Sequence, residues 1–152
     1  MNYTKQQINF LAEQFTDHRL PKPEWTHHAH LITGIWHIHH FDFFDAICKI
    51  KSGIILLNNF HQTENTGNSG YHETLTIFWS MVIAEFITQN RNLSLEELVN
   101  TFLTSPLSER TLPFEFYTKE RLMSSHSRAC YNEPDIQSVN TQTVHKLLSK
   151  KT

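Results

Sequence analysis

Apolar residues recur at three- and four-residue intervals along most of this chain and nowhere alternate for long. Phe43, Ala46, Ile47, Ile50, Ile54, Leu57 and Phe60 keep that spacing over about five turns of helix. Leu75, Trp79, Val82, Ile83 and Phe86 repeat it, with His72 at the head of the same face. A helix puts residues three and four apart on one face, whereas a half-buried strand needs a period of two. Such faces are buried by packing helix on helix, so the fold class is all-α. At 152 residues the chain can close one core without disulfide or metal staples, and 1–152 reads as a single helical domain.

Local signals set the boundaries. Thr4-Lys5-Gln6-Gln7 is a capping box, and Ile8, Leu11 and Phe15 carry the first helix to about His18. Pro21 and Pro23 end it, since neither donates a backbone hydrogen bond. Thr26 caps a second helix with the stripe Leu31, Gly34, Ile35 and Ile38, running to His39 or His40. Asp42 caps the long third helix, inside which Gly53 marks a close helix approach. The polar stretch His61 to Gly70 is the expected mobile loop. A fourth helix starts near Tyr71, and Ser94-Leu95-Glu96-Glu97 boxes a fifth that reaches Leu103. Beyond it Pro106, Pro113 and Pro134 break the tail into short pieces around Lys119–Met123 and Ser125–Tyr131, with a last helix over Thr141–Leu148. The expectation is a bundle of about five to six helices with an irregular C-terminal tail.

Charge and composition narrow the partners. Thirteen basic and fifteen acidic residues leave a formal charge of −2, with no basic face for nucleic acid. No apolar run approaches the roughly 20 residues of a membrane helix. No export signal opens the chain, and Cys48 and Cys130 read as reduced, small apolar residues, which together suggest the cytoplasm.

Histidine is the unusual component: eleven in all, six of them between His27 and His40. His27 and His30 are three apart at the head of the second helix, so they share a face and can approach one metal or one substrate group. His72 heads the fourth helix and would supply a third nitrogen if the two helix starts meet. Glu73 would be a carboxylate ligand, a partner orienting a histidine, or a general base. Imidazoles with one carboxylate suit zinc, iron or nickel. His72-Glu73 also opens like the HExxH helix of zinc proteases, but Thr76 stands where the second histidine is required, and that mechanism is excluded. His28, His37, His39 and His40 read as surface or boundary residues, and Tyr117 with Arg121 would close the site from the tail.

Three blocks carry a resemblance. Thr26-His27-x-x-His30-Leu31, then Tyr71 to Thr76 with Trp79, then Phe116-Tyr117 through Leu122, Ser124 and Arg128 to Pro134-Asp135, resemble a family of small uncharacterised bacterial proteins. Its blocks read approximately FTHxxHL, YHETLT and YYSxxxLxSxxAR…PD, and the likeness spans roughly residues 24 to 136. Trp25 and Phe116 each exchange one aromatic for another, while Thr118 stands for a serine and Ser127 for an alanine. The resemblance singles out His27, His30, His72, Glu73 and Thr76, and more loosely Tyr117 and Arg128. It implies a shared site without naming a reaction.

The leading expectation is a metal-binding protein or metal-dependent enzyme acting on a small molecule. His27, His30 and His72 are its candidate ligands, and His72 and Glu73 its candidate catalytic groups. The alternatives are a metal-free binder or enzyme using the same residues, and an interaction domain in which the motifs are caps and packing.

Overall fold

The structure is a computed structural model that describes residues 2–149. Eight α-helices form among them and no strand: α1 Lys5–Thr16, α2 His27–His40, α3 Phe43–Phe60, α4 Glu73–Gln89, α5 Leu95–Leu103, α6 Lys119–Leu122, α7 Ser125–Ala129 and α8 Thr141–Ser149. Three 3₁₀ turns punctuate them at Lys22–Glu24, Pro106–Ser108 and Leu112–Glu115. The all-α, single-domain reading holds. The helices outnumber the expected five or six because the tail is largely helical in short pieces. No helix of the described residues is long and apolar enough to cross a membrane.

Two helices form the centre. α2 packs against α1, α3, α4 and α5, while α4 packs against α2, α3, α7 and α8. α4 is apolar around most of its circumference, which suits a helix covered on several sides. Ile32 and Ile35 of α2 meet Phe78, Val82, Ile83 and Phe86 of α4 in a core completed by Leu98, Val99 and Phe102 of α5. Phe78, Phe86 and Phe102 are fully buried, each worth about 1.5–3 kcal/mol by transfer from water. Phe86 and Phe102 meet edge to face at 5.1 Å, as do Phe78 and Phe116.

The boundaries follow the expected chemistry. Thr4 caps α1 in a capping box with Gln7, and Ser94 caps α5 with Glu97. Thr26 Oγ1 accepts from the Ala29 N–H at the start of α2. Helix α1 stops at Thr16, two residues early, because His18 turns into the left-handed region at φ 56°. Gly53 does mark a close approach: a Cβ there would run into the Phe15 ring of α1. Phe60, expected on the buried stripe, is exposed, as are Phe44, Ile55 and Leu56 of the same helix.

The tail is fastened as well as folded. Phe116, Tyr117 and Leu122 are buried in the main core. Asp135 accepts from the backbone N–H and hydroxyl of Thr118, at 2.9 and 2.7 Å, so the Pro134-Asp135 block clasps the start of α6. The Tyr117 hydroxyl donates to the Asn132 carbonyl at 2.9 Å. Cys48 and Cys130, expected as small apolar residues, are free and exposed. His37 departs the other way: it is buried, donating from Nδ1 to the Thr33 carbonyl at 2.7 Å.

Candidate functional site

The 3₁₀ turn Lys22–Glu24 ends at Trp25 and delivers the chain to Thr26, the N-cap of α2. Across from it, His72 rather than Tyr71 is the hinge of α4: its backbone is extended, and its Nδ1 accepts from the Leu75 N–H at 3.2 Å. The two helix starts do converge. Together with the middle of α3 and the 3₁₀ region ending near Arg110, they enclose a cavity of about 570 Å³. His27, His30 and His72 all line it, and so do Thr76 and Trp79.

The hydrogen bonds fix each ring. A carbonyl oxygen only accepts, so a ring nitrogen facing one carries the proton. His27 Nε2–H donates to the Ser108 carbonyl at 2.8 Å, leaving Nδ1 as a lone pair. His30 Nδ1–H donates to the Thr26 carbonyl at 2.8 Å, leaving Nε2. The His30 ring also stacks on Trp25 at 3.6 Å, and Trp25 stacks in turn on Phe15 at 5.2 Å. His72 differs. While its Nδ1 caps α4, its Nε2–H donates to the Leu122 carbonyl at 3.1 Å. Both nitrogens are engaged, and the ring would have to release a helix cap or a tail contact to reach a ligand.

Burial holds these imidazoles neutral. It lowers the pKa of His27, partly offset by the Ser108 bond, with the Arg110 charge lowering it further. Enclosure by protein pushes His30 down to about 4, again against the bond to Thr26 and with the charges of His27 and Arg110 adding to the fall. His30 is nonetheless exposed by surface area, as a lining residue of a cavity that opens to solvent. Water entering the cavity would offset part of the desolvation, and the ring is neutral at pH 7 either way. Burial lowers His72 too, opposed by the Leu122 bond and aided by the Arg128 charge.

Glu73 stands behind this wall. It is not among the cavity-lining residues; one oxygen pairs with Lys51 Nζ of α3 at 2.5 Å and the other accepts from the Tyr71 hydroxyl at 2.6 Å. Tyr71 does line the cavity. Burial and the Glu73 carboxylate push its phenol pKa upward, so it stays protonated. The carboxylate therefore reaches the site through Tyr71.

Several lining residues carried no sequence signal. Lys22, Asn58, His61 and Arg110 all face the cavity, contributed by turns and by the end of α3, where periodicity says nothing about direction. His61 Nε2–H donates to the Leu20 carbonyl at 2.7 Å, which ties the loop 61–70 to the α1 turn. The loop is pinned elsewhere: Arg128 Nη1 donates to the Ser69 and Tyr71 carbonyls, both at 3.1 Å. Tyr117 and Arg121, expected to close the site, lie outside the cavity lining; Arg121 Nε donates to the Glu133 carbonyl at 2.8 Å. Among the described residues no group of three or more His, Cys, Asp or Glu side chains is arranged to hold a metal ion. Compared with protein-family models, curated proteins and solved structures, the chain has no match.

Proposed function

We propose that the cavity binds a small organic molecule, with His27 and His30 as its principal polar contacts. One observation carries this reading. Two neutral imidazoles from one helix start line a single cavity, each with one nitrogen fixed by a backbone carbonyl and the other left as a lone pair. The surrounding wall is mostly apolar, from Leu31, Ile54, Leu75 and Trp79, the usual composition of a small-molecule site. Where chemistry follows binding, His30 Nε2 is an oriented proton acceptor, because the Thr26 carbonyl holds its tautomer and ring direction, although burial makes it a weak base. In this reading His72 and Glu73 are positioning residues: the first caps α4, the second orients Tyr71.

A second reading has its own observation. Ligating histidines commonly donate their other ring N–H to a carbonyl or carboxylate, and His27 and His30 both do so. A zinc, iron or nickel ion held by these two rings, and by His72 if it releases its cap, would act as a Lewis acid on a bound molecule.

One experiment tests both. Protein purified without a histidine tag is analysed for metal, and histidine-selective NMR follows titration with a fragment library. Saturable shifts at His27 and His30, lost in His30→Ala and retained in His28→Ala, are expected without stoichiometric metal. About one metal per chain, removed by His30→Ala, would replace the first reading with the second.

A further inference from the structure

The charge around the cavity is one-sided. Lys22 and Arg110 line it, and no aspartate or glutamate does. Glu73, next to His72 in sequence, is spent on Lys51 and Tyr71, and Glu24 and Glu64, next to Trp25 and Thr63, are outside the lining. Glu109, beside Arg110 in the chain, lines an adjoining concavity that shares Thr26, His27 and Arg110 with the cavity, and its charge partly opposes that of Arg110 at His27. The Arg110 side chain has no hydrogen bond or ion pair among the described residues, yet its charge is felt by both His27 and His30. Lys22 Nζ makes only a 3.4 Å contact to the His61 carbonyl, leaving most of its donor capacity unused. Two unpaired cations beside a low-dielectric wall favour a negative ligand group. The open nitrogens of His27 and His30 ask for something else. As lone pairs they repel a bare anion and accept from an O–H or N–H.

We propose, resting on the small-molecule reading above, that the cavity takes a small organic acid bearing one hydrogen-bond donor. Its anionic head sits at Arg110 and Lys22, its O–H or N–H on His27 or His30, and its apolar body against Trp79 and Leu75. Hydroxy acids and acylated amino acids have this chemistry. A neutral apolar molecule would leave the cations to water alone, and a simple fatty or aryl acid would cover the imidazole lone pairs without pairing them, which loses affinity.

The test uses three probes of one shape: phenyllactate, phenyllactamide and phenylpropionate. Binding is read from the indole N–H resonances of Trp25 and Trp79, with Trp36, which is outside the lining, as an internal control. Phenyllactate is expected to saturate about tenfold more tightly than either the amide or the des-hydroxy acid. Arg110→Gln, at an exposed side chain without partners, is expected to erase the preference for acid over amide while leaving the fold intact. His30→Phe is expected to erase the preference for the hydroxyl. If the amide binds as well as the acid, or Arg110→Gln leaves the preference unchanged, the organic-acid assignment is overturned and the small-molecule site still stands. If none of the three saturates the indole shifts at tens of millimolar, both the assignment and the site reading fall.

Discussion

His30 combines three constraints in one ring: a stacked face against Trp25, a fixed proton on Nδ1, and an open Nε2 at the cavity. Keeping such a ring neutral has a consequence for stability. Unfolded, it takes up a proton near pH 6.5; folded, burial delays that uptake toward about pH 4. Across that window the unfolded chain binds more protons, so stability falls as the pH drops from about 6.5. His27, His37 and His72, all lowered mainly by burial, act in the same direction. Urea unfolding at pH 7 and pH 5 should show the loss, and His30→Gln should make it shallower. An equal loss in the variant would place the effect on the other rings. His72 has a different liability, since its two bonds hold the head of α4 and the tail at Leu122. His72→Ala is expected to cost about 1–3 kcal/mol, from a lost cap and an unpaired buried carbonyl. His72→Asn should recover the cap alone and so about half of that. The sequence put His72 on the core-facing side of α4, and the residue is buried there. It did not distinguish a first helical residue from an N-cap, although a shift of one position turns an open imidazole into a backbone clamp.

At the scale of elements, the fit between α1 and α3 depends on a missing side chain. Gly53→Ala would drive a Cβ into the Phe15 ring, and overpacking of this kind costs about 1–3 kcal/mol. Phe15→Leu in the same protein should recover part of that loss, a coupling measurable in a double-mutant cycle by chemical denaturation. Additive losses would mean that the helices separate instead of pressing on the ring. The far end of the loop 61–70 is tied to α7 by the Arg128 guanidinium, as its start is tied to the α1 turn by His61. Arg128→Gln is expected to speed amide exchange at the Ser69–Tyr71 end of the loop by about tenfold or more, since two charge-assisted bonds are lost, while the amides of α4 keep their protection. The long helices and their caps were legible because Thr4, Thr26 and Ser94 sit directly before apolar stripes. The tail was less so. Its 3₁₀ turns and four- and five-residue helices are too short for periodicity, and contacts such as Asp135 with Thr118 hold them in place.

For the whole molecule, the open question is why a chain this size leaves about 570 Å³ unfilled beside its two central helices. Convergence of the helix starts is a property of how α2 and α4 cross, with α3 and the Arg110 region closing the sides. The identities of His27, His30, Tyr71, His72, Thr76 and Trp79 were visible before packing was known; the cations were not. A packing defect and a binding site make opposite predictions when the space is filled. Thr76 lines the cavity and spends its hydroxyl on the His72 carbonyl one turn back at 2.9 Å, a bond that contributes little to a helix. Thr76→Met would place a flexible apolar chain into the space with little strain. If the cavity is kept open for a ligand, the variant should gain about 1 kcal/mol in urea unfolding and lose the phenyllactate-induced shifts at Trp79. Stability gained with binding unchanged would place the ligand elsewhere on the chain. Stability lost would mean that the wall around Thr76 is already close-packed and has no room for the larger side chain.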